Sequence, residues 1–207
     1  MDFDLWEPIY LQILDDFGFS REEDERAAII LSEILTDANS VGTSVLAELI
    51  QGKDVLVCGN APVLPDDLKL IDPKDYVIIA ADGATAVLVD TGIIPDIIVT
   101  DLDGDIEKEI MANQKGAIAV VHAHGDNIDK LKKYVPRLKD IIGTTQSRPL
   151  NDIHNFGGFT DGDRCAYLAK EFNAASITII GFDLEDTDVS PIKKKKLKWA
   201  RWLIDDL

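Results

Sequence analysis

Apolar residues recur at helical spacing through the first fifty positions, then give way to short continuous apolar runs. Leu5, Trp6, Ile9, Ile13, Leu14 and Phe17 mark a first helix, with Gly18 as its stop. Ser20 followed by Glu23 predicts a capping box for a second helix, which carries Ala27, Ala28, Ile30, Leu31, Ile34 and Leu35. Asn39 is expected to cap a third, with Val41, Val45, Leu46, Leu49 and Ile50 inside and Gly52 beyond its end. From Lys53 the apolar runs fall at residues 55–58, 77–81, 97–100, 117–122, 140–144 and 177–181. Their near-continuous apolar character predicts strands buried on both faces, and the helical stretches between them predict βαβ units. The expected fold is α/β, a mostly parallel sheet of about six strands flanked by helices, with an N-terminal helical extension. That places a helical segment at residues 1–52, suited to packing or to self-association into a homo-oligomer, before a catalytic unit at 53–207.

Composition narrows the partners. A hydrophobic fraction of 46% supports a sizeable core. The net charge of −17, from 21 basic and 38 acidic residues, argues against nucleic-acid or anionic-membrane binding, because little on the surface would neutralise phosphates. Cys58 and Cys165 form no metal motif and suit a reduced setting. Asp2, Asp4 and Glu7 interrupt any apolar leader, and no run approaches a membrane span, so a cytosolic protein is expected.

The chemistry collects where strands end. Asp82-Gly83-Ala84 follows the second run and Asp101-Leu102-Asp103-Gly104-Asp105 the third. In an open parallel sheet, ligands bind in the crevice outside these carboxyl ends. Aspartates gathered there repel one another unless a cation holds them, and hard oxygen ligands favour Mg²⁺. Asp82, Asp101 and Asp103 are the expected metal ligands. Gly59-Asn60-Ala61-Pro62 after the first run reads either as a phosphate cradle at a helix start or as a plain βα turn. His122-Ala123-His124-Gly125-Asp126-Asn127 closes the fourth, with Asp126 as a helix cap facing the crevice and His124 a candidate proton acceptor. Thr160 and Asp163 read as a capping box, and together with Asp161 and Arg164 they also suit a ligand edge. The Asp-x-Asp pair on its own resembles both the nucleophile motif of haloacid-dehalogenase-type phosphatases and the metal-diphosphate grip of nucleotide-sugar glycosyltransferases.

Taken in order, these segments resemble a further family. Asp82-Gly83-Ala84, Ile94-Pro95-Asp96 through Gly104, His122 through Asn127, and Asn155-Phe156-Gly157-Gly158 through Arg164 are similar to the archaeal type of 6-hydroxymethyl-7,8-dihydropterin diphosphokinase, itself related to thiamine diphosphokinases. The likeness includes Trp6-Glu7-Pro8, Asp16 through Ser20, and the Lys193–Lys196 run in the last helix. Thiamine diphosphokinases carry Asp-Gly-Gly at 82–84 and only loosely match residues 157–164, so a pterin fits better than thiamine. The resemblance implies Mg²⁺-dependent transfer of diphosphate from ATP to a hydroxymethyl group, with release of AMP. It implies catalytic roles for Asp82, Asp101, Asp103 and Asp126, and nucleotide contacts from Gly59, Asn60, Gly83, Ala84 and Asn127. Substrate contacts would come from Thr160, Asp161, Asp163 and Arg164.

Overall fold

The structure, a computed structural model, describes residues 1–207. A single all-parallel sheet organises it: β1 Asp54–Cys58, β2 Val77–Ala81, β3 Ile97–Thr100, β4 Ile118–Ala123, β5 Ile141–Thr145, β6 Ile153–His154 and β7 Ser176–Ile180, in the order β6-β5-β4-β3-β2-β1-β7. The count is seven rather than about six. The additional strand, β6, is two residues long, too short to show as an apolar run. Every residue of β2 and β3 is buried, as their unbroken apolar runs require of strands covered on both faces.

Helices α1 Phe3–Phe17, α2 Arg21–Asp37, α3 Ser44–Ile50, α4 Leu64–Asp67, α5 Ala84–Asp90, α6 Ile106–Gln114, α7 Ile128–Tyr134, α8 Asp161–Glu171 and α9 Pro191–Asp205 form the outer layers. One face of the sheet packs on α4 and α5 through Leu56, Ile78 and Ala80, and on α2, α6 and α7 through Ala119, Val121 and Ile141. The other packs on α3 and α8 through Val57, Ile79, Val99 and Ile142. Helix α1 lies on α8 and α9, where Trp6, Tyr10 and Ile13 meet Phe159, Tyr167 and Leu203. The N-terminal helices therefore share cores with the residues after 53. Gly143 in β5 permits one of these contacts, since a Cβ there would stand 2.5 Å from Ile153 Cδ1 and 2.8 Å from Leu35 Cδ1 of α2.

The helix signals fare unevenly. Gly18 ends α1 at φ 69°, as expected of a left-handed cap. Ser20 Oγ accepts from the Glu23 amide at 3.3 Å, but the return arm of the box is not made. Asn39 does not cap α3, which begins five residues later. Residues 39–41 instead pair with β5, through Ile141 N–H to the Asn39 carbonyl and Val41 N–H to the Ile141 carbonyl. Pro62 does not open a helix either; α4 starts at Leu64 with Pro65 in its first turn. No helix is long and apolar enough to cross a membrane.

Candidate active site

The carboxyl ends of β2 to β5 open into a cavity of about 640 Å³. Asp82, Asp101, Asp103, His124, Gly125, Asp126 and Gln146 follow those strands; Thr160, Asp161 and Arg164 open α8. Two walls come from elsewhere in the chain. The α1–α2 turn and the start of α2 give Gly18, Phe19, Ser20, Glu23 and Asp24, and the start of α9 gives Ser190, Ile192, Lys193, Lys196 and Leu197.

At its floor, Asp82, Asp101 and Asp161 each offer a carboxylate oxygen, all within 4.8 Å of one another. Asp82 sits at φ 42°, and its Oδ1 accepts from Thr100 Oγ1 at 2.8 Å and the Gly104 amide at 3.1 Å. Glycine is needed at 104, because a Cβ would stand 2.9 Å from Asp82 Oδ2 and 2.8 Å from Glu109 Oε1. Burial, then the charge of Asp101, pushes Asp82 above the ordinary carboxylate range. Burial pushes Asp161 well above it, reinforced by Asp101 despite the opposing Arg164. Asp101 goes the other way: burial would raise it, but the His124 hydrogen bond and the charges of Arg164 and Lys130 prevail. The buried Oδ1 of Asp101 has no protein partner. Three clustered carboxylates, with one oxygen left unpaired, fit a hard divalent cation.

His124 fixes Asp101. Its Nδ1 accepts from the Asp126 amide at 3.3 Å, so in the neutral ring Nε2 carries the proton and donates to Asp101 Oδ2 at 3.2 Å. Both nitrogens are thereby engaged, which leaves the candidate His124 no free lone pair with which to accept a proton. His122, two residues earlier in β4, is buried and held below its usual range by that burial. Thr144 Oγ1 gives its proton to the Val121 carbonyl at 3.1 Å and must accept from His122 Nδ1, so Nε2 is a bare acceptor. Arg164 crosses the floor to Asp161 Oδ1 at 3.1 Å and Gln146 Oε1 at 3.2 Å. Gln146 continues to Asp24 Oδ2 at 2.7 Å, which also accepts from Tyr10 Oη at 2.9 Å; Asp24 Oδ1 takes the Gly125 amide at 2.9 Å. A hydrogen-bonded chain thus runs from α1 and α2 to the guanidinium.

The residues expected from the sequence separate into two groups. Asp82, Asp101, Asp103, Asp126, Thr160, Asp161 and Arg164 line the cavity. Within that group Asp103 is displaced from the carboxylate cluster and Asp161 takes its place. Asp103 pairs instead with Lys130 at 2.5 Å, its side chain 72% exposed. Asp126 is not a helix cap: it lies in the 3₁₀ turn Gly125–Asn127, which the His124 side chain caps. Its carboxylate is exposed on the cavity wall with no hydrogen-bond partner in the protein, and its amide donates to His124 Nδ1.

The second group lies behind or beside the cavity. Asn127 is buried, donating to the Asp101 and His122 carbonyls at 3.0 and 2.7 Å and accepting from the His124 amide. Asp163 is wholly buried in the α8 cap, accepting from the Phe159 amide at 2.5 Å and the Thr160 amide at 2.9 Å. Ala84 is buried in α5. The Gly59 and Ala61 amides bond to the Ile180 and Gly181 carbonyls at 2.9 and 2.8 Å, so neither of these two is open to an anion. A Cβ on Gly59 would strike the Gly181 carbonyl, and one on Gly83 the Asn60 side-chain amide, so both glycines serve close protein packing. Phe19, Glu23, Asp24 and Gln146 went unread as site residues. Phe19 had one signal, its place within the Asp16–Ser20 match; Gln146 had none.

The family model described as 6-hydroxymethylpterin diphosphokinase MptE-like matches residues 32–189. The chain is 41% identical over 231 residues to the 6-hydroxymethyl-7,8-dihydropterin pyrophosphokinase of Methanocaldococcus jannaschii, an alignment spanning 100% of this chain and 96% of that one. It is 44% identical over 219 residues to the protein of the same name from Pyrococcus furiosus, covering 99% and 94%. The solved MAf glycosyltransferase from Magnetospirillum magneticum AMB-1 aligns with 84% of this chain and 30% of its own, at a TM-score of 0.46 and 19% identity, a likeness too slight to bear on function.

Proposed function

The chain belongs to the MptE-like family of 6-hydroxymethylpterin diphosphokinases, and on that premise we propose that it transfers diphosphate from ATP to the hydroxymethyl group of 6-hydroxymethyl-7,8-dihydropterin, with Mg²⁺ bound, releasing AMP. The observation that carries this reading is the convergence of Asp82, Asp101 and Asp161 in a cavity that also holds Arg164, Lys193 and Lys196. Acidic and cationic groups at one site suit a metal polyphosphate better than a neutral ligand.

Asp82, Asp101 and Asp161 would hold the Mg²⁺, which when bound supplies positive charge to the phosphate oxygens. The rest follows from positioned side chains, since phosphoryl-type transfer asks the protein mainly for alignment and electrostatic stabilisation. Thr100 and Gly104 orient Asp82, and His124 orients Asp101 so that its Oδ1 stays open. Arg164, braced by Asp161 and Gln146, presents its charge to the non-bridging oxygens as they develop negative charge. Lys193 and Lys196 meet the outer phosphates from α9. Asp126, with its carboxylate free on the cavity wall, accepts the proton of the attacking hydroxymethyl group. The setting is the cytosol, where a reduced Cys58 and Cys165 belong.

Incubation with ATP, Mg²⁺ and the pterin tests the reaction, with the nucleotides separated by chromatography. AMP is the expected product; ADP would point to transfer of a single phosphoryl group and overturn the reading.

A further inference from the structure

Among the large apolar side chains exposed on the protein, two line this cavity from distant parts of the sequence: Phe19, 37% exposed, in the α1–α2 turn, and Ile192, 65% exposed, at the start of α9. The Phe19 ring is held in place. With Gly18 left-handed, the Gly18 and Phe19 amides both return to the Leu14 carbonyl. The Phe19 ring stacks on Phe17, centroids 5.3 Å apart and planes at 16°, and Phe17 packs on Phe159 at 5.1 Å. Asp16 ties α9 to the same turn, accepting from Lys195 Nζ and from Trp199 Nε1, each at 2.8 Å. An exposed ring, backed by a second ring and bordering a largely polar cavity, is surface that a flat ligand would remove from water.

A carboxylate with spare capacity stands beside it. Glu23 lines the cavity with its side chain 52% exposed, and its one ion pair is with Arg26 at 3.6 Å. The adjacent Asp24 is by contrast committed to Tyr10, Gln146 and Gly125. Both belong to α2, which packs on β4 and β5, so this end of the cavity lies away from Asp82 at the end of β2.

We infer that Phe19, with Ile192 of the same cavity, seats the planar ring of the acceptor, and that Glu23 accepts hydrogen bonds from the ring's amino edge. This deepens the function proposed above and rests on it. A pterin presents an amino group next to a ring N–H, two adjacent donors that match the two oxygens of a carboxylate. Adenine sets its amino group next to a ring acceptor, which a carboxylate repels, so the donor's base lies elsewhere. The N-terminal helices then select the acceptor while the strand ends carry out the transfer.

Steady-state kinetics with each substrate varied in turn, on the wild type, Phe19→Ala, Phe19→Tyr and Glu23→Gln, test this. Phe19→Ala should raise KM for the pterin about tenfold or more, the scale of losing one base-stacking ring, and leave KM for ATP unchanged. Phe19→Tyr keeps the ring and should stay near the wild type; Glu23→Gln should raise KM for the pterin alone. An unmoved pterin KM in Phe19→Ala, or a raised ATP KM in its place, overturns the inference while wild-type turnover keeps the proposed reaction standing. An unmoved pterin KM in Glu23→Gln removes the role given to that carboxylate. A wild-type enzyme that leaves the pterin unconverted overturns both the reaction and this subsite.

Discussion

The Asp103 carboxylate lies 2.5 Å from the Lys130 ammonium, outside the cluster that Asp101, two residues earlier, helps to form. Between them Leu102 is buried at φ 66°, a conformation rare for a branched apolar side chain and one that turns the two aspartates apart. Asp161→Asn and Asp101→Asn should therefore each lower Mg²⁺-dependent turnover by roughly 100-fold or more, whereas Asp103→Asn should stay within about tenfold of the wild type. Turnover measured across a Mg²⁺ titration decides it. Equal losses at Asp103 and Asp161 would contradict the ligand set.

Asp24→Ala should destabilise the protein by about 2–4 kcal/mol, because it strands three donors that the buried carboxylate now satisfies: the Tyr10 hydroxyl, the Gln146 amide and the Gly125 N–H. Urea denaturation monitored by tryptophan fluorescence measures this. A loss under about 1 kcal/mol would show that the network contributes little to holding α1 and α2 in place.

Glu109 gives a pH dependence of definite sign. It is buried on α6 with neither carboxyl oxygen hydrogen-bonded, and burial, then the Asp82 charge, raises it from 4.5 to about 8. Well below pH 4.5 the group is protonated in both folded and unfolded chains, and nothing is lost. Between 4.5 and about 8 only the unfolded chain releases the proton, so stability falls as pH rises. Above about 8 both states are ionised and the deficit is constant. In metal-free buffer, Glu109→Gln should match the wild type in melting temperature at about pH 4 and exceed it increasingly up to about pH 8. A difference independent of pH would contradict the assignment.

Much of the fold was legible because buried parallel strands carry their own mark: 77–81 and 97–100 were read with the bounds the structure gives. What pairing alone decides was not legible. Residues 39–41 look like a helix start by composition but are drawn alongside β5, and β6 exists only because β5 offers it an edge. At the site, Asp82 and Asp101 were readable as carboxylates at strand ends. The exchange of Asp103 for Asp161 was not, since it depends on the backbone turn at Leu102 and on α8 entering the crevice at its first residue. Asp163 was read both as a cap and as a substrate contact, and its burial leaves the cap. Phe19 and Glu23 sit in a segment that reads as packing helices, and only the tertiary placement of α2 against the ends of β4 and β5 brings them to the cavity.

Diphosphate transfer itself is tested most directly with ATP labelled at the β-phosphorus. Attack there by the pterin hydroxymethyl group carries the label into the pterin ester and leaves AMP unlabelled. The expected result is therefore all label released from the nucleotide appearing in the pterin product. Label retained in ADP, with only the γ-phosphoryl group transferred, would contradict it.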